Sequence, residues 1–226
     1  MNLSSIIKYK SFMDDLTKEQ IDITSSTYNS CAHEYALKVE RKPEVVSAVE
    51  ELILIPFYRM LALKNKSKIA FIGCGTGRDM NWFIRKGYEC DGYDKSEGML
   101  LEARNWVQDG NFYLLDISTE ELPKNRYAGI YCESALAYVS YKNLEDTLIN
   151  IKNSLVLGGV ALLGFKVDGS KVYEDKTLSG VRYYIAVDMN EVSELVSRHF
   201  KINRKLVSKD SFERPTEWLD LFVEKV

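Results

Sequence analysis

Cysteine, proline and histidine are scarce in this 226-residue chain, at four, four and two. The cysteines stand at 31, 74, 90 and 132, so the nearest pair is 16 residues apart. That spacing excludes the CxxC pairs of zinc ribbons and thiol–disulfide enzymes. Cys74, Cys90 and Cys132 lie in or beside apolar strand-like segments, and free buried thiols in a reducing cytosol are expected. Only 13 glycines occur and no tract repeats, which excludes collagen-like and low-complexity classes. Neither sign of charge dominates: 30 basic and 33 acidic residues leave a net −3. Such a chain has no global attraction to phosphate backbones or anionic membranes. Long apolar runs are missing too. The most apolar stretch, Leu52 to Leu63, has twelve residues and contains Pro56 and Arg59. A membrane span needs about 20, so a buried helix is expected there. The opening MNLSSIIKYK lacks the apolar run and cleavage site of a signal peptide, which points to a cytoplasmic protein.

What is present is an ordinary globular composition, 46% hydrophobic and 28% charged, with enough apolar area to exclude a largely disordered chain. At about 150 residues per domain, one elaborated domain or two small ones would fit. No linker splits the chain, and a single domain over 1–226 is expected. Residues 1–65 read as a helical cap, with one helix from Thr24 to Lys38. A second runs from Pro43 to about Lys64, broken or kinked at Pro56. From Lys68 strands and helices alternate. Strands are expected at 68–73, 89–93, 111–117, 127–133 and 160–166. Helices are expected over 76–86, 96–108 and 143–155, the last closed by Gly158 and Gly159. Residues 66–166 would form the cofactor-binding core. Residues 167–226 read as an insert of two extended segments, then a helix capped by Asp188 and an antiparallel strand pair at about 201–208 and 216–225. The insert 167–186 would pack with 1–65 as a cap. This alternation implies an α/β fold, doubly wound around a mostly parallel sheet.

The informative segment is Ile72-Gly73-Cys74-Gly75-Thr76-Gly77-Arg78-Asp79, which follows a strand and opens a helix. Glycines let the backbone turn tightly and approach a ligand, and the helix presents free N–H groups to an anion. Asp94 ends the second strand, 21 residues after Gly73, where it suits ribose hydroxyls. These features indicate a nucleoside cofactor without naming it. The spacing is GxGxG, and Arg78 occupies the third glycine position of a dinucleotide turn, which argues against NAD.

IGCGTGRD, together with GYDKSEGML (92–100), LLDI (114–117) and LVLGGVALLGFK (155–166), resembles the motifs of class I S-adenosylmethionine-dependent methyltransferases. The resemblance covers roughly residues 26–226. YCESALAYVSYKNLEDTL, GFKVDG, LSGVRYY and EWLDLFVEKV resemble more narrowly a small single-domain bacterial branch related to the tellurite-resistance type. That branch often has His where this chain has Tyr138. The resemblance implies a Rossmann-like sheet of seven strands with an antiparallel C-terminal strand, and S-adenosylmethionine as cofactor. It implies that Gly73, Cys74, Gly75 and Gly77 shape the pocket for the methionine part. Asp94 would accept from the ribose, Lys95 and Met99 would flank the adenine, and Asp116 would accept from its amino group beside Ile117. Glu133 and Ser134 would face the methyl group or substrate. Tyr28 and Tyr35, seven apart on one helix face, would close over the cofactor or serve as ordinary core aromatics.

No metal or catalytic triad is needed, because the sulfonium is already an activated methyl donor and in-line transfer chiefly needs alignment and dryness. Catalytic candidates are therefore weak: Tyr138, Glu133 and His33. Tyr138 and Arg182 are the substrate-binding candidates. Arg182 could meet a substrate carboxylate or phosphate, or form a plain surface ion pair. His199 is expected at a helix C-terminus, and Lys201, Arg204, Lys205 and Lys209 on a solvated strand face. The expected partner is a small-molecule substrate, with no nucleic acid and no membrane, for a monomer or homodimer. A nucleic-acid or protein methyltransferase and a non-enzymatic nucleoside-binding module are the alternatives.

Overall fold

The computed structural model describes residues 15–40, 47–63, 68–168, 171–209 and 216–226. The expected helix start at Pro43 lies outside them. Among the described residues, β1 (Ile69–Ile72), β2 (Cys90–Asp94), β3 (Asn111–Leu114), β4 (Tyr127–Cys132) and β5 (Leu155–Val167) pair in parallel in the order β3-β2-β1-β4-β5. The last two strands, β8 (Lys201–Lys209) and β9 (Glu217–Glu224), form an antiparallel pair, and β9 runs antiparallel to β5. Among the described residues seven of the sheet's nine strands therefore run in the order β3-β2-β1-β4-β5-β9-β8.

Both faces of this sheet are covered because its strands are apolar on both sides. Ala70 and Ile72 of β1 pack with Leu144, Leu148 and Ile151 of the helix Tyr141–Ser154. Ile69 and Phe71, one residue out of phase, pack with Phe57, Leu61, Met80 and Phe83 on the other face. That alternation is the period-two geometry of a strand meeting helices above and below.

The helices follow local signals. Helix α1 (Lys18–Ser30) starts six residues earlier than expected. Its capping box explains the difference: Gln20 N–H donates to Thr17 Oγ1 at 3.2 Å, and Thr17 N–H donates to Gln20 Oε1 at 3.0 Å. The helix breaks at Cys31 and resumes for one turn at Ala32–Tyr35, followed by a π-turn at Ala36–Glu40. Helix α2 (Ile55–Ala62) is not broken at Pro56. A π-turn at Glu50–Leu54 leads into it, and Pro56 sits in the first α-helical turn, where its missing N–H costs little. Only one side of this segment is buried: Ile53, Leu54, Phe57 and Leu61 are inside, whereas Leu52 and Leu63 are exposed. No helix among the described residues is long and apolar enough to cross a membrane. Helices α3 (Arg78–Arg85), α4 (Glu97–Trp106), α5 (Tyr141–Ser154) and α6 (Met189–Ser197) complete the set, with Ser96 capping α4 and Asp188 capping α6.

Two expectations are corrected around β5. Gly158 and Gly159 do not close α5, which ends at Ser154 and passes directly into β5. They lie in a bulge of β5, where the register against β4 shifts between Tyr127 and Gly129 and Gly158 has φ +70°. The insert is also more than a cap. Its strands β6 (Lys171–Leu178) and β7 (Gly180–Val187) form an antiparallel hairpin, and β7 adds to the end of β5 through Lys166 and Val167. Helix α1 docks on this hairpin: Thr27 Oγ1 donates to the Val181 carbonyl at 2.6 Å, and the Tyr183 N–H donates to Thr24 Oγ1 at 2.8 Å. Lys201, Arg204, Lys205 and Lys209 are exposed on β8, as expected. None of the four cysteines is in a disulfide, and Cys74 is the one that is not buried.

Candidate functional site

One cavity lies at the carboxyl ends of β1, β2 and β4, where ligands sit in open α/β sheets. Its floor is the turn after β1. Gly73, Gly75 and Gly77 all have positive φ, at 66°, 55° and 82°, and Gly77 leads directly into α3. A side chain is excluded at Gly73 on two counts, since an added Cβ would also lie 2.6 Å from the Ala135 Cβ. Gly77 is the one expected cofactor residue that does not line the cavity; it acts as the N-cap of α3.

The wall at the end of β2 carries Asp94. Its two carboxylate oxygens accept the Gly75 and Ser96 N–H groups, each at 2.9 Å, so it ties the glycine turn to the start of α4. Burial raises its pKa, and those two bonds oppose the rise. Met99 and Lys95 lie beside it on the cavity wall. After β3, which ends at Leu114 and not at 117, come Leu115, Asp116 and Ile117. Asp116 accepts from Lys95 Nζ at 2.7 Å and from the Ser118 N–H and hydroxyl. Burial would raise its pKa, but Lys95 and Ser118 outweigh burial and lower it. Lys95 is 40% exposed, so its ammonium is free to swing off when another donor reaches Asp116.

The opposite end of the cavity is formed by the chain after β4. Glu133 and Ser134 follow the strand, and the 3₁₀ turn Ala135–Tyr138 points Tyr138 inward. Ser134 donates to the Glu133 carboxylate. Burial raises the pKa of Glu133, the Asp79 charge adds to the rise, and Arg78 and Lys166 oppose it. The roof is α1 and the helical turn after it, which put Tyr28 and Tyr35 in the cavity. Their rings meet edge to face with centroids 5.7 Å apart, and Tyr28 meets Tyr138 in the same way at 5.5 Å. Asn29 holds the roof to α4: Ser96 Oγ and the Gly98 N–H both donate to its Oδ1, at 2.9 and 3.1 Å.

Two expected site residues lie elsewhere. His33 is on the exterior, its side chain 72% exposed and 3.2 Å from Glu102. It does not line the cavity. Arg182 neither makes a surface ion pair nor lines the cavity. It is 3% exposed and bound to Asp175 at 2.7 Å. His199 lies just past the end of α6, 3.1 Å from Glu145. Cavity residues to which sequence reasoning gave no role include Leu16 before the roof helix, Ile21 and Thr24 on it, Tyr183 of the hairpin, and the pair Asp79 and Tyr131. Arg78 grips Asp79 through two nitrogens at 2.5 and 2.9 Å, and the Tyr131 hydroxyl donates to Asp79 at 2.9 Å. The adjacent Arg-Asp in the motif was the available signal.

The donor set fits S-adenosylmethionine. A glycine turn without side chains suits its amino-acid part, Asp94 at the end of β2 its ribose, and Met99, Asp116 and Ile117 its adenine. Comparison with known proteins agrees. Residues 69–159 match the family model described as a methyltransferase domain. No curated protein matches in sequence. Among solved structures, a Burkholderia thailandensis 1,6-didemethyltoxoflavin-N1-methyltransferase with bound 1,6-didemethyltoxoflavin and S-adenosylhomocysteine has a TM-score of 0.66 at 17% identity, over 92% of this chain and 89% of that one. Magnesium protoporphyrin IX methyltransferase from Synechocystis, with bound S-adenosylmethionine, has a TM-score of 0.69 at 14% identity, over 93% of this chain and 99% of that one. A TehB-like S-adenosylmethionine-dependent methyltransferase from Corynebacterium glutamicum has a TM-score of 0.62 at 17% identity, over 87% and 99%. Residues 69–159 therefore match a methyltransferase domain, and the fold shared with these solved structures extends over 87–93% of the chain.

Proposed function

We propose that the chain methylates a small molecule by in-line displacement, mainly through alignment. The observation that carries this is the continuity of one roofed cavity, from the glycine turn and Asp94 at one end to Glu133 and Tyr138 at the other. Bound S-adenosylmethionine supplies a methyl group already activated on a sulfonium. Asp94 would hold the ribose hydroxyls, Asp116 the adenine amino group, and the turn at Gly73 and Gly75, which carries no side chains, would leave room for the amino-acid end. Tyr28 on α1 and Tyr35 on the helical turn after it would exclude water, and Glu133 would take a proton from an acceptor. Positioning of this kind can supply far more of the rate than the 10²–10⁴-fold typical of general-base help.

The test is incubation of the purified chain with methyl-labelled S-adenosylmethionine and separate small-molecule, RNA and protein fractions of a cell extract. Label is expected in small molecules. Label confined to RNA or protein would overturn the assignment of substrate class. Once an acceptor is known, Tyr138→Phe and Glu133→Gln should each lower turnover by less than about 10³-fold. His33→Ala should change little, since its side chain faces solvent. A loss above about 10⁴-fold at Tyr138 or Glu133, with cofactor affinity intact, would point to an essential base instead.

The roof gives a further expectation. Helix α1 contributes Thr24, Ser25, Tyr28 and Ile21 to the cavity, and a bound cofactor adds contacts to that face. Amide exchange over residues 18–30 should slow when S-adenosylhomocysteine is added. Equal exchange in both states would mean that the roof does not respond to the cofactor.

A further inference from the structure

Arg182 is outside the cavity yet connected to it. Its Nη2 donates to Asp175 at 2.7 Å and to Thr177 Oγ1 at 2.6 Å, and its Nη1 donates to the Tyr28 hydroxyl at 2.9 Å. Tyr28 in turn donates to the Tyr138 hydroxyl at 2.6 Å. A guanidinium can only donate, so the direction of this chain is set at its head. Tyr28 accepts from Arg182 and commits its single proton to Tyr138. The Tyr138 oxygen is thereby an acceptor toward Tyr28, and its own proton is directed elsewhere. Its hydroxyl has no other hydrogen-bond partner among the described residues, and Tyr138 lines the cavity.

Hydrogen bonds in series polarise one another. A buried cation at the head makes the last hydroxyl a better donor and a poorer base. The cavity that Tyr138 faces has aromatic walls: the Tyr28 ring meets that of Tyr138, and Tyr35 and Tyr183 line the same cavity. Glu133 is there too and can accept a proton. Rings as walls, one polarised donor and one carboxylate acceptor match a planar ring that bears a hydroxyl group.

We propose, resting on the methyltransferase assignment, that Arg182 is a positioning residue that acts through Tyr28 to make Tyr138 the hydrogen-bond donor to the acceptor substrate, and that this substrate is a planar phenol-type ring. The phenol oxygen accepts from Tyr138 and its proton faces Glu133. Tyr138 binds the substrate, and no proton is taken by it.

The test uses the full chain saturated with S-adenosylhomocysteine, with 4-nitrophenol as probe at mildly acidic pH and nitrobenzene as the control that lacks the hydroxyl. Dissociation constants are measured for wild type, Tyr138→Phe, Tyr28→Phe and Arg182→Gln. Affinity for 4-nitrophenol should fall about tenfold in Tyr138→Phe and about threefold or more in the other two, while nitrobenzene shifts by less than about twofold throughout. Tyr28→Phe keeps the Arg182–Asp175 pair, so it reads the relay even if Arg182→Gln loosens the hairpin. Equal losses for both probes, no loss in Tyr138→Phe, or no binding of 4-nitrophenol to wild type would overturn the proposal alone. Failure of wild type to bind S-adenosylhomocysteine would overturn the methyltransferase assignment together with it.

Discussion

Alanine at Gly164 is expected to destabilise the chain by about 3 kcal/mol or more, which for a chain of this size lowers Tm by roughly 6–12 °C. Gly164 lies on β5 beside the end of β4. A Cβ added there would overlap the Glu133 carbonyl oxygen, with the Glu133 carbonyl carbon and Cα at 2.6 and 2.9 Å. All three are backbone atoms, so no flexible side chain can yield, and the two strands would have to part in a close-packed core. The same displacement would move Glu133 within the cavity. Thermal melting of Gly164→Ala beside Leu157→Ala makes the comparison direct, because Leu157 is 82% exposed and its truncation should shift stability by no more than about 0.5 kcal/mol. Equal melting of the two variants would show that β4 and β5 are not in contact at this point.

Valine at Gly75 is expected to abolish cofactor binding, a loss beyond about 100-fold, while the chain still folds. Gly75 has φ +55°, a conformation that is a genuine outlier for a β-branched residue. Strain of about 1–3 kcal/mol would be relieved by flattening the turn. That would pull the Gly75 N–H off Asp94 and place two methyl groups in the cavity. The check is calorimetry with S-adenosylhomocysteine on a variant whose far-ultraviolet circular dichroism matches wild type. Retained affinity would mean that the cofactor does not approach this turn.

The parts of this molecule that were legible in its sequence are those written in local signals. Ile69–Ile72, the three glycines and α3 form a strand, turn and helix within one short window, and Asp94 follows at the end of the next strand. Asp116 has no such signal of its own, and the resemblance of LLDI alone points to it. What could not be read depends on pairing at a distance. Arg182 looked like a surface or ligand-facing cation, because nothing local reveals that β6 folds back to bring Asp175 and Thr177 against it. The bulge at Gly158 and Gly159 resembled a helix stop because glycine marks both, and only the register against β4 separates them. Helix α1 begins before its apolar periodicity does, because its Thr17–Gln20 cap precedes a stretch with a weak apolar pattern. Its buried face carries Thr24 and Thr27, which bond the hairpin through their hydroxyls. His33 follows the break at Cys31, which turns its side chain to solvent.

The most direct measurement is calorimetric titration of wild type and Asp94→Ala with S-adenosylhomocysteine and with NAD. Wild type should bind S-adenosylhomocysteine with a micromolar dissociation constant, near −8 kcal/mol, and show no heat of binding with NAD. Asp94→Ala should weaken S-adenosylhomocysteine at least tenfold, since charged hydrogen bonds of this kind contribute about 1.5–3 kcal/mol, and the loop bonds from Gly75 and Ser96 go with the carboxylate. Comparable binding of NAD to wild type, or an unchanged dissociation constant in Asp94→Ala, would contradict the placing of S-adenosylmethionine in this cavity.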